Sequence, residues 1–182
     1  MLIVFTSLVL LKSFIFLGCS HTPFMAEQSL VVNEIVANAA DGGSDWIELY
    51  VVGDEPVYLG EYALVDDNEE RGSILLSEIE LNPGEFIVIQ ATNKEPEEGS
   101  IYVPFKLGSD DSVTVFYDSN IVDILDWGSG DAPSGLSYGL FPDGKGEADT
   151  LKPTPGAPNE IFDVFPSDRV VEVRFEMEEE AL

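Results

Sequence analysis

The sequence predicts an all-β domain built as a sandwich of two sheets, and three observations carry that expectation. Apolar and polar residues alternate in short runs, with no sustained helical period. Turn-forming Gly, Pro, Asn and Asp separate those runs at regular spacing, as in sandwiches of many short strands. No segment repeats itself at a fixed period, which argues against a solenoid or a propeller.

Each run can be justified in order. Residues 29–36 form a first strand, closed by the polar loop at 38–44. Residues 45–51 alternate, which sets Ile47, Leu49 and Val51 on one face and Trp46, Glu48 and Tyr50 on the other. A turn at 53–56 leads to a short extended piece at 57–59 and a strand at 61–65. The acidic loop 66–71 precedes a short strand at 73–76. Pro83 and Gly84 fit the corners of a turn before residues 85–91, which are apolar enough for the middle of a sheet. After a charged loop at 92–100, residues 112–117 and 120–127 make a hairpin joined at Asp118 and Ser119. Residues 137–140 are the last short strand before Pro142, Asp143 and Gly144.

Composition narrows the class of partner. The chain has 182 residues, enough for one domain with a real core, and 45% of them are hydrophobic. Its 35 acidic residues against 8 basic ones give a net charge of -27. Such a surface repels phosphate backbones and anionic headgroups, so nucleic acid is excluded as a partner of the domain. It also keeps a protein soluble, and a monomer is expected. The single cysteine, Cys19, rules out an intramolecular disulfide, so the fold rests on its core.

The N-terminus reads as an address. Residues 2–17 are almost wholly apolar, short for a membrane span but suited to the apolar part of an export signal. They end in Phe16-Leu17-Gly18-Cys19-Ser20, which resembles a bacterial lipobox. That resemblance implies a signal peptide at 1–18, cleavage before Cys19, a lipid on that cysteine as membrane anchor, and a tether at 19–29. A plain secretory signal and an uncleaved anchor are the alternatives, and all three place the domain outside the cytoplasm, at the cell envelope or secreted.

Four further signposts fall in one order: Val32-Asn33-Glu34-Ile35, Asp45-Trp46-Ile47-Glu48-Leu49-Tyr50, Leu59-Gly60-Glu61-Tyr62-Ala63-Leu64, and the closing pair Pro142-Asp143-Gly144 with Pro153-Thr154-Pro155-Gly156-Ala157-Pro158-Asn159. Together they resemble the bacterial lamin tail domain over residues 30–159. The resemblance implies an immunoglobulin-like β-sandwich, no enzymatic activity, and a surface binding or scaffold role beside other exported modules. Val51-Val52 and Leu140 depart from the family's pattern. Residues 160–182 change character: Ile161 to Met177 is a β-prone run that weakly resembles the opening strand of spore-coat protein H kinase-like domains. Two readings stand for it. Either the chain is the front, accessory part of a longer, truncated kinase-like surface protein, or residues 170–175 add to an edge of the sandwich.

Little else in the sequence points to catalysis. The one histidine, His21, lies beside Cys19, which removes Ser-His and Cys-His pairs and the usual zinc sets from the domain. No glycine-rich phosphate loop is present. With so many carboxylates, proximity of two of them means little, and no cofactor is expected apart from Ca2+. The weak cation ligands are Asp66, Asp67 and Asn68, with Asp110, Asp111 and the Asp41 loop for an irregular site. An EF-hand beginning at Asp66 fails, because Arg71 and Ser77 stand where glycine and glutamate are needed. A calcium-stabilised adhesion module is therefore a third reading. Trp46 and Trp127 are expected in or near the core. Glu34 and Glu48, costly to bury alone, are expected to cap backbone groups or meet a base.

Overall fold

All seven residues of Leu30–Val36 are buried, which a strand achieves only when both of its faces are covered. In the computed structural model, which describes residues 29–68, 74–96 and 98–163, this strand (β1) lies between two neighbours in a seven-stranded sheet. The segments up to residue 28 expected as export signal and tether, with Cys19, lie outside the described residues, as does the C-terminal run from 164.

Twelve further strands follow in chain order: β2 (Asp45–Val51), β3 (Val57–Tyr58), β4 (Tyr62–Asp66), β5 (Ile74–Leu75), β6 (Glu80–Leu81) and β7 (Phe86–Ala91). Then come β8 (Tyr102–Val103), β9 (Asp111–Tyr117), β10 (Asn120–Trp127), β11 (Ser137–Phe141), β12 (Glu147–Lys152) and β13 (Glu160–Ile161). Single 3-10 turns at Ala40–Gly42 and Leu59–Glu61 are the helical elements among the described residues. The large sheet runs β13-β12-β11-β1-β2-β7-β8, a second sheet runs β10-β9-β4-β5, and β3 with β6 forms a small ribbon. Pairing is antiparallel except between β7 and β8.

The core lies between the two larger sheets. From the first come Leu30, Val32, Ile35, Ile47, Leu49 and Ile89; from the second, Leu64, Val113, Val115, Leu125 and Trp127. The alternation of residues 45–51 is realised as expected: Ile47, Leu49 and Val51 face this layer, and Trp46 and Tyr50 lie half-buried on the other side. The indole Nε1 of Trp127 donates to the Gly108 carbonyl at 3.0 Å, so the largest core side chain keeps its polar atom satisfied. At the hairpin, Asp118 and Ser119 take φ of 45° and 65°, the left-handed pair that a two-residue turn between twisted strands requires.

Two features differ from the sequence reading. Residues 137–140 are not the last strand, because β12 pairs along the whole of β11 and β13 adds a further rung. β12 hid because it is near the sheet's edge, with Leu151 alone fully buried, so its composition carries almost no apolar signal. The run 85–91 is flanked beyond by the two-residue β8 alone, and only two of its strand residues are buried.

β1 also carries a bulge: its register on β2 slips between Val32 and Glu34. Asp123 reaches across from β10 and accepts the Val32 N–H at 2.8 Å, tying the second sheet to the irregular point of the first. On the other side β11 approaches β1 so closely that a Cβ at Gly139 would lie 2.3 Å from the Asn33 carbonyl oxygen. Gly139→Ala must therefore push the two strands apart. We expect a loss of about 2 kcal/mol or more in urea unfolding; an unchanged midpoint would contradict this close approach.

Candidate functional site

The bulge decides which polar groups meet. With Val32 opposite Leu49 and Glu34 opposite Glu48, both glutamates project from the face of the sheet turned away from the apolar core. Asn33, at the slip itself, projects with them. All three are fully buried. What covers them is the chain's own later sequence: the turn at Pro142–Gly144, which follows a cis Phe141-Pro142 peptide, and the segment 153–159.

The contacts are dense. Glu34 Oε1 accepts from the Ser137 hydroxyl at 2.5 Å, and its carboxyl lies 3.2 Å from the Thr154 N–H. Glu48 Oε2 accepts the Gly156 N–H at 2.6 Å and Oε1 accepts from the Asn33 amide at 3.1 Å. Asn33 also donates to Asp143 at 2.9 Å, while its Oδ1 accepts the Gly144 N–H at 3.0 Å. Asp143 in turn accepts the Asn159 N–H at 3.0 Å. Asn159 closes the set, its amide donating to the Asn33 and Leu140 carbonyls at 3.1 and 2.8 Å. Both amide protons of Asn159 are thus engaged, and its Oδ1 is left facing the Thr154 hydroxyl at 3.1 Å.

Thr154 joins Glu34 to Asn159. Thr154 Oγ1 lies 3.1 Å from Asn159 Oδ1 and 3.1 Å from Glu34 Oε2, yet a hydroxyl has one proton for two acceptors. A proton on Glu34 would relieve the conflict, letting Glu34 donate to Thr154 and Thr154 donate to Asn159. Electrostatics agree. Burial raises the pKa of Glu34 against the opposing hydrogen bonds from Ser137 and Thr154, and the nearby Asp143 adds to the rise. Burial likewise lifts Glu48 from 4.5 to about 7, opposed by the Gly156 and Asn33 bonds and reinforced by Glu34 and Asp143. Chemically this is a clasp: two buried acids hold the chain's own backbone N–H groups, closed to any solute.

The expectation that Glu34 and Glu48 cap backbone groups is met through Thr154 and Gly156. Their caps come from more than a hundred residues away, which no local pattern signals. Asp143, Thr154 and Asn159 were visible only as the spelling of motifs, without a role.

The proposed cation ligands fall at one end of the second sheet. Asp66 ends β4 and is buried, Asp67 is exposed and Asn68 half-buried; Asp110 is exposed and Asp111, opening β9, is buried. The two loops do meet, since the Asp67 N–H lies 3.4 Å from Asp111 Oδ1. Asp111, however, already accepts the Gly108 N–H at 2.7 Å and its neighbour Ser112's at 2.8 Å, which makes it a loop staple. Among the described residues no three His, Cys, Asp or Glu side chains gather as a metal-ligand set. Likewise no described helix is long and apolar enough to cross a membrane.

Two predictions follow from the clasp. Unfolded Glu48 ionises near 4.5 and folded Glu48 near 7, so the folded state binds more protons between those values. Stability must fall as pH rises through that window, by on the order of 3 kcal/mol from this group. Urea unfolding at stepped pH should show a smaller fall for Glu48→Gln, and equal slopes would refute the assignment. Glu34→Gln places a donor toward Thr154 and an acceptor toward Ser137, imitating the protonated acid. Above pH 7 it should match or exceed the parent in stability, whereas Glu34→Ala, orphaning Ser137 and Thr154, should lose about 2 kcal/mol or more.

Compared with known proteins, the chain matches no family model, and no curated protein is similar to it.

Proposed function

We propose that the chain is a non-catalytic, exported surface module of the lamin-tail type. On this reading an immunoglobulin-like sandwich is held at the cell envelope by lipid on Cys19 and presents loops and sheet edges to a partner. One observation carries it. Three of the four signposts whose spelling suggested the family, those at 32–35, 45–50 and the closing pair, send polar residues into a single buried hydrogen-bonded cluster, while the fourth at 59–64 lies outside it. A chance match of short motifs would not be expected to converge this way. The same cluster supports a scaffold role, because its acids Glu34, Glu48 and Asp143 are occupied in closing the fold.

The address is tested separately from the fold. Mass spectrometry of the mature N-terminus should find an acylated Cys19, and Cys19→Ser should move the protein from the membrane to the soluble fraction. An intact Met1 on protein recovered from the cytoplasm would defeat the proposal.

A further inference from the structure

One end of the sandwich holds a groove that the clasp does not use. It forms where the turn after β2, the β3–β4 connection and the β9–β10 hairpin come together, and it encloses about 600 Å3. Tyr58, Tyr62 and Tyr117 line it, with the carboxylates of Asp54, Glu55 and Glu61. Past Glu61 and Asp118 it continues into a hollow of about 390 Å3 on the outer face of the second sheet, floored by apolar Val65, Leu75 and Phe116.

The aromatic part is preformed. Tyr62 is buried, and its hydroxyl lies 3.0 Å from Ser29 Oγ, which fixes the ring. Tyr117 packs against it, ring centroids 5.0 Å apart at 47°. Glu61 sits against the Tyr117 hydroxyl, and its charge and hydrogen bond hold that phenol above its ordinary pKa, so the ring stays neutral. Tyr58, 43% exposed, lies over Gly60 so closely that a Cβ there would fall 2.9 Å from the Tyr58 Cε1.

The charge is one-sided. No described lysine or arginine lines the groove or the hollow. Lys106 pairs with Asp45 and Lys152 with Glu160, on other elements. Tyrosine faces carry negative quadrupole potential, and carboxylates beside them add to it, so the groove is complementary to a cation. A guanidinium satisfies both at once, stacking on a ring while donating to a carboxylate. The adjoining apolar floor suits an uncharged neighbour of that cation on the same strand.

We infer that this groove docks a polypeptide segment of the partner that presents arginine or lysine beside apolar residues. The inference rests on the binding-module reading and names the chemistry of its partner. The probe is a capped hexapeptide of alternating arginine and leucine, titrated by NMR into the full chain at 150 mM salt. Its counterpart with glutamine for arginine serves as control. Shifts should concentrate at residues 53–62 and 116–122. Tyr58→Ala and Glu61→Gln should each weaken binding by about threefold or more, whereas Glu147→Gln, exposed on β12, should change it less than twofold. Shifts spread over the whole acidic surface, equal losses for Glu147→Gln, or equal binding of the glutamine peptide would overturn the inference. So would a neutral oligosaccharide that displaces the peptide by occupying the same tyrosines. If the peptide fails while Cys19 is acylated, the groove assignment falls and the surface-module reading stands. If the peptide binds a protein found unprocessed in the cytoplasm, the reverse holds.

Discussion

The fold depends on a single irregularity, the slip of one residue in β1 at Asn33. Without it, the alternation of a strand would carry Glu34 to the face that bears Val32 and the apolar core. With it, Glu34 and Glu48 stand side by side beneath the later chain. The bulge also frees the Val32 N–H, which Asp123 of the opposite sheet takes up. One extra residue therefore sets which side chains enter the core, which enter the polar cluster, and how the two sheets are tied.

Burying two acids side by side is unfavourable unless each is neutral or hydrogen-bonded. Here both remedies operate. Backbone N–H groups of Thr154 and Gly156 and hydroxyls of Ser137 and Thr154 surround the carboxyls, and burial raises the pKa of both acids toward the neutral form. The C-terminal segment is thus held by acceptors rather than by apolar packing, which explains how a stretch rich in Pro and Gly, with no strand partner from 153 to 159, keeps a fixed path across a sheet.

Much of this was legible in the sequence, for local reasons. The 45–51 strand and the 118–119 hairpin follow from alternation and from two residues tolerant of positive φ, and both stand where expected. The strand β12 was invisible because a strand next to the sheet's edge with one buried residue has no apolar period to show. The roles of Glu34 and Glu48 were half legible: burial demanded partners, but the partners lie at Thr154 and Gly156, brought in by topology. Asp66 and Asp111 were picked for charge density, and the structure gives Asp111 backbone donors that charge density cannot reveal. The tyrosine groove escaped notice for the same reason, since Tyr58, Tyr62 and Tyr117 come from separate elements and read individually as strand residues.

The scarcity of bases ties these observations together. A chain with 35 acids and 8 bases cannot neutralise each interior carboxylate with a lysine or arginine. Asp45 has Lys106 at 3.5 Å, but among the described residues no base meets the clasp acids, which are held by backbone amides and hydroxyls. That choice has a consequence for the exterior. No described lysine or arginine lines the groove, so its carboxylates are left to a cation supplied from outside. Interior acids held by amides and hydroxyls, with pKa values raised by burial, and exterior acids open to a basic partner are two results of one compositional constraint. The sandwich separates them by placing the clasp on the outer face of one sheet and the groove at the end where both sheets meet the β2–β3 turn.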